Sequence, residues 1–133
     1  MAEQKNTDTF EYYNANPKNK KTEDCVFRAI STALNQSWED TLMEMAKLSC
    51  NTGYSIVGKN LIDKYLESKG WKKNKQPRKA DGKCYTGKEF VKVFKEECVA
   101  NIGSGHIVYI KGGKIFDIWN CTENCIGNYW TKE

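Results

Sequence analysis

Histidine occurs once in this chain, at His106. A lone imidazole does acid–base chemistry when a carboxylate orients it and a nucleophile stands beside it. His106 opens a run, Gly105 to Trp119, in which two apolar segments flank Gly112-Gly113. This reads as a hairpin closed by a two-residue turn, because glycine takes the positive φ that both turn positions need. With Lys111 opposite Lys114, Val108 lies opposite Asp117 and His106 opposite Trp119, with all these side chains on one face. His106 and Asp117 are then diagonal neighbours, on the order of 7 Å apart at the backbone and within hydrogen-bonding reach of each other. Trp119 is placed to shield that bond from water.

The candidate nucleophile lies far upstream. Cys25 opens an expected helix with Thr22 as its N-cap and with Val26, Ile30, Ala33 and Leu34 as its apolar stripe. Free backbone N–H groups in a first helical turn favour a thiolate, and a nearby imidazolium adds to this. Cys25, His106 and Asp117 together predict a thiol hydrolase, in which His106 takes the thiol proton and the sulfur attacks an acyl carbon. Such chemistry needs no cofactor. Glu23 and Asp24 precede the nucleophile, and both are expected to face solvent, since carboxylates turned towards the sulfur would oppose ionisation.

The elements that must position these groups follow from the remaining pattern. At 133 residues, 39% hydrophobic and 29% charged, the chain is expected to form a single domain, with residues 1–9 a flexible tail. Phe10 to Tyr13 reads as an extended segment. Helices are expected from Cys25 to about Asn35, from Ser37 (as cap) through Ser49, from Gly58 to about Ser68, and from Gly87 to about Glu97 with Thr86 as cap. Ile126 to Thr131 reads as a strand after the hairpin. Helices first and antiparallel strands last indicate an α+β fold.

The residues resemble the papain-like cysteine peptidase superfamily, in which a thiol at the start of a helix faces a His and an Asn or Asp carried on a following antiparallel sheet. The chain order Cys25, His106, Asp117 agrees, and Asp117-Ile118-Trp119 is similar to the superfamily's Asn-x-Trp segment with Asp for Asn. The bacteriocin-processing leader peptidases are small domains with Asp in that role. They also carry a Gln, four residues, an acidic residue and the Cys. Here Asn19-Lys20-Lys21-Thr22-Glu23-Asp24-Cys25 matches with Asn for Gln, and Val26 stands where those families carry glycine. The resemblance implies an N-terminal helical layer on a C-terminal antiparallel sheet, and cleavage of a peptide or protein substrate. It also implies an oxyanion donor at Asn19, or at Asn16 in the same loop, beside the Cys25 N–H. Gly105-His106 is similar to a Gly-His pair in Cys/His cell-wall amidases, which implies cell-wall hydrolysis as an alternative.

Other features bound the reading. Lys69 to Lys83 holds Lys69, Lys72, Lys73, Lys75, Arg78, Lys79 and Lys83 against Asp81 alone. This basic loop fits an acidic partner, and a non-catalytic binding protein that uses it is the competing function; nucleic acid is not expected to bind. The first fourteen residues lack the apolar core of a secretory signal, and no run reaches about 18 apolar residues, so a cytoplasmic protein without a membrane span is expected. The six cysteines are then expected to be free thiols. Cys121-x-x-x-Cys125 offers only one close ligand pair, so no metal site is expected.

Overall fold

Three N-terminal segments repeat apolar residues at helical spacing, and each forms a helix that buries its stripe. In the computed structural model, which describes residues 4–133, α1 is Cys25–Leu34, α2 is Trp38–Thr52 and α3 is Lys59–Ser68. Val26, Phe27 and Ile30 of α1, Met45 of α2, and Leu61, Ile62, Tyr65 and Leu66 of α3 share one core cluster. Ser37 caps α2 as expected, its hydroxyl accepting from the Asp40 N–H at 3.0 Å. Thr22 does not cap α1. Asp24 is the N-cap residue and makes no side-chain cap, while the Thr22 hydroxyl donates to Glu23 Oε2 at 3.0 Å.

The strands are β1 (Phe10–Tyr12), β2 (Trp71–Asn74), β3 (Cys98–Ile102), β4 (His106–Lys111), β5 (Lys114–Asp117) and β6 (Ile126–Lys132). They form one mixed sheet in the order β1-β5-β4-β3-β6-β2. The molecule is therefore α+β, with four helices among the described residues, the last being α4 (Gly87–Val93). The β4–β5 hairpin has the expected register, Lys111 opposite Lys114, with Gly112 and Gly113 at φ 60° and 83°. Its cross-strand pairing ends at Tyr109 opposite Phe116, so Trp119 lies beyond the strand instead of opposite His106.

The sheet departs from the expected C-terminal antiparallel one in three ways. β1 comes from the N-terminus and runs parallel to β5, Phe10 aligned with Ile115. β2 lies inside the segment expected to be a basic loop; it pairs with β6 and buries Trp71 while its lysines point out. β3 begins at Cys98, where the fourth helix was expected to have just ended, because α4 stops at Val93. A short apolar run such as 98–102 suits a strand or a helix equally until its neighbours are known.

Alternation along β3 and β4 divides the interior. Val99, Ile107 and Tyr109 face α1–α3, whereas Cys98, Ala100, Ile102, Val108 and Ile110 face the α4 side with Phe90 and Val91. Thr86 caps α4 in a reciprocal box with Glu89, which also pairs with Lys79 at 3.0 Å. Gly87 is closely packed, and a side chain there would require both neighbouring isoleucines to shift. A Cβ there would lie 2.7 Å from Ile115 Cδ1 and 2.9 Å from Ile102 Cδ1.

Two further expectations need correction. Residues 1–3 of the expected tail lie outside the described residues, but Thr9 is buried and its carbonyl accepts from Ile115 N–H at 2.9 Å, which extends the β1 edge. Cys84 and Cys125 are not free thiols. They form a disulfide with Cα atoms 5.8 Å apart, because the Thr86–Cys125 bridge and the bond from Ile126 N–H to the Tyr85 carbonyl align the two segments. Cys25, Cys50, Cys98 and Cys121 remain thiols.

Candidate active site

The first turn of α1 lies against the start of β4, since α1 packs on that strand through Val26 and Ile30. Cys25, the first helical residue, therefore meets His106, the first residue of β4. The hairpin returns Asp117 to the same place. His106 Nε2 and Asp117 Oδ2 are 2.6 Å apart, although β4 and β5 are joined only by two glycines. With Nε2 held by the carboxylate, Nδ1 is the ring nitrogen left for the thiol. The Trp119 ring stands edge-to-face against His106 at 5.2 Å, and 45% of the residue is exposed, so it covers one side of the imidazole only. Deeper shielding comes from burial of Asp117 itself.

Arg28, one turn after the nucleophile, was not picked out by the sequence reading and is the centre of the site's charge. Its Nε donates to Asp24 Oδ1 at 2.8 Å and its Nη1 to Asp117 Oδ1 at 2.5 Å, with all three side chains buried. A buried guanidinium needs such partners, and its fork lets one side chain bind both carboxylates. The Asp24–Arg28 spacing of four was a usable signal, since it is the spacing of helical ion pairs.

Asp24 thus corrects the expectation that both acidic neighbours face solvent. Glu23 is exposed, but Asp24 turns inward and also accepts from Asn16 Nδ2 and Trp38 Nε1, each at 2.9 Å. As an N-cap residue with φ −119° and ψ 27°, it is free of the helical projection that the expectation assumed.

The electrostatics favour an ion pair. Burial pushes the Cys25 thiol up, but hydrogen bonding with His106 and with the Ile107 backbone, and the positive charges of His106 and Arg28, outweigh it and leave the thiol below its ordinary value. Burial opposes the imidazolium as well; Asp117 outweighs it, with help from Cys121 and Cys25, and His106 is pushed up to about 11. Burial also raises Asp117, and its bonds and charge contacts with His106 and Arg28 bring it below the ordinary carboxylate value.

The three expected catalytic residues are brought together; the two expected oxyanion donors are not. The cleft of about 440 Å³ at the thiol is lined by Thr22, Glu23, Cys25, Arg28, Ser104, Gly105, His106, Ile118 and Trp119. Asn16 is absent from that lining because its amide is bound to Asp24, and its Oδ1 accepts from Lys18 and Lys20 N–H groups. Asn19 is exposed at φ 55°, bonded to Asn14. The first-turn N–H groups of α1 receive no side-chain cap, so the Cys25 N–H is available as an oxyanion donor.

His106, Asp117 and Cys121 also place donor atoms within 4.8 Å of one another, a set that could hold a metal ion. Here Nε2 and Oδ2 already bond each other, Cys121 Sγ lies 3.9 Å from Oδ2, and Arg28 supplies the positive charge that Asp117 needs. The arrangement suits proton transfer better than metal ligation. No helix among the described residues is long and apolar enough to cross a membrane. No protein-family model, curated protein or solved structure matches the chain.

Proposed function

We propose that this protein is a cysteine hydrolase of papain-like architecture that cleaves an amide or isopeptide bond in a peptide or protein. One observation carries the reading: a helix-start thiol shares a cleft with an imidazole whose far nitrogen is 2.6 Å from a buried carboxylate. His106 and Cys25 rest as imidazolium and thiolate. The sulfur attacks the acyl carbon, and the oxyanion is received by the Cys25 N–H at the uncapped start of α1. His106 then protonates the leaving amine, and the amine departs. Water, deprotonated by His106, attacks the thioester; the tetrahedral intermediate collapses to the carboxylic acid product and expels the Cys25 thiolate, which restores the thiolate–imidazolium pair. Asp117 holds the ring, and Arg28 holds Asp117.

The competing binding reading has less support, because the basic segment is partly structural. Lys69 pairs with Glu44, Lys73 with Asp63 and Lys79 with Glu89.

The test is the pH dependence of Cys25 alkylation, read by peptide mass spectrometry on the native protein and on His106→Ala. The expected result is a rate plateau extending well below the free-thiol pKa of about 8.5 that disappears in the variant. A rate that titrates near the free-thiol value in both proteins rejects the reading.

A further inference from the structure

The cleft at Cys25 is acidic, although the chain carries a net charge of +4. Among the described residues that line it, Glu23 is the one carboxylate and Arg28 and His106 are the cations, with Asp24 and Asp117 bound behind them. Each of these cations is bound to a carboxylate within the site, so neither offsets the charge of Glu23. Glu23 stands on the cleft wall, exposed, two residues before the nucleophile. Its one side-chain hydrogen bond is from the Thr22 hydroxyl at 3.0 Å, and it forms no ion pair among the described residues. Backbone hydrogen bonding and that hydroxyl keep its carboxyl below the ordinary range, and it is ionised at neutral pH.

An aromatic ring lines the same cleft. Trp119 is held edge-to-face against His106 and remains 45% exposed. An unpaired carboxylate and an exposed indole are the two groups that best hold a cationic side chain, one by charge and the other by its ring quadrupole. Ser104 and Gly105 add little bulk to the wall, which leaves room for a long side chain.

We propose that this cleft selects substrates with a cationic side chain, lysine or arginine in a peptide, next to the scissile amide, and that Glu23 and Trp119 hold that side chain. The inference rests on the hydrolase reading, so its test must separate the two.

Three methanethiosulfonates do so: one with a trimethylammonium-ethyl group, one with a neutral hydroxyethyl group and one with a sulfonatoethyl group. In each case the Cys25 sulfur attacks the sulfenyl sulfur, a mixed disulfide forms and methanesulfinate leaves. Exposed Cys50 on α2 serves as the internal reference thiol. The cationic-to-anionic rate ratio at Cys25 is expected to exceed that at Cys50 by about five-fold or more, the effect of one carboxylate acting across a half-open cleft. Glu23→Gln should remove most of that excess, and Glu23→Lys should reverse it. Trp119→Leu should lower the cationic-to-neutral ratio by about two-fold.

If the neutral reagent reacts rapidly below the free-thiol pKa but the charge ratio at Cys25 equals that at Cys50, or is unmoved in Glu23→Gln, charge selection is overturned and the nucleophile stands. If the neutral reagent reacts at Cys25 only as fast as at an ordinary thiol, the hydrolase reading falls and this inference falls with it.

Discussion

Two regions of the molecule, the apolar layer under α4 and the cleft at the start of α1, are held by different physics. On the α4 side, Ile102, Val108, Ile110, Ile115 and Phe90 interlock, and the only thiols in that cluster are packed as small apolar groups or held close to Asp117. At the cleft, where the start of α1 meets the start of β4 and the end of β5, a buried chain of charge runs instead from Asp24 through Arg28 to Asp117 and His106, the last two sharing by alternation the face of Val108 and Ile115. The apolar face tolerates imperfect geometry, because burial energy has no direction. The charged end does not, because each ion was taken out of water and depends on its partners. The candidate chemistry sits where the structure is least tolerant, and the apolar layer beside it serves as its rigid backing.

Breaking the charged chain should have the largest effect. Arg28→Met leaves Asp24 and Asp117 buried without their cation, and a loss of about 3–5 kcal/mol is expected in chemical denaturation. In the same variant, the pH profile of Cys25 alkylation should move towards the free-thiol value, since the Arg28 charge helps to lower the thiol. Arg28→Lys should recover part of the stability but not both hydrogen bonds.

The apolar face offers the counterpart. Ile110→Ala should cost about 2–5 kcal/mol through the cavity it leaves, and Gly87→Ala about 1–3 kcal/mol through overpacking against Ile102 and Ile115. Neither should move the pH profile of Cys25. A shift in that profile would show that the apolar layer and the charged cleft are coupled.

The sign of the pH effect sharpens the contrast further. The folded pKa of His106 lies above its unfolded value, so its contribution to stability is complete below 6.5 and is lost as pH rises towards about 11. Asp117 has the opposite sign: its contribution is present above 3.8 and is lost as pH falls through its lowered folded value. Asp117→Asn should therefore flatten stability at both ends of the range in denaturation curves taken at several pH values, whereas Ile110→Ala should shift them uniformly. The smallest change is Thr86→Ala, which breaks the α4 capping box for about 1 kcal/mol and should show as a small fall in the denaturation midpoint.

Much of this was legible locally. Glycine at 112 and 113 set the hairpin register, and that register alone brought His106 and Asp117 together. Ser37 and Thr86 marked helix starts, and the stripes at 26–30 and 61–66 marked helix faces, because turn and capping preferences act over a few residues. β2 was hidden for the opposite reason. Its exposed lysines look like loop until β6 supplies hydrogen-bond partners and Trp71 finds the core.

The sequence by itself determined the elements near the site and the three residues that would meet. Only the tertiary structure decided their electrical setting. Asp24 turned inward because Arg28, Asn16 and Trp38 converge on it, and Asn16 was thereby withdrawn from the oxyanion role. The parallel β1 edge, the Cys84–Cys125 bond and the Arg28–Asp117 pair likewise join residues far apart in the chain. Such pairings depend on which groups burial brings within a few ångströms and strips of water, and no local spacing encodes that.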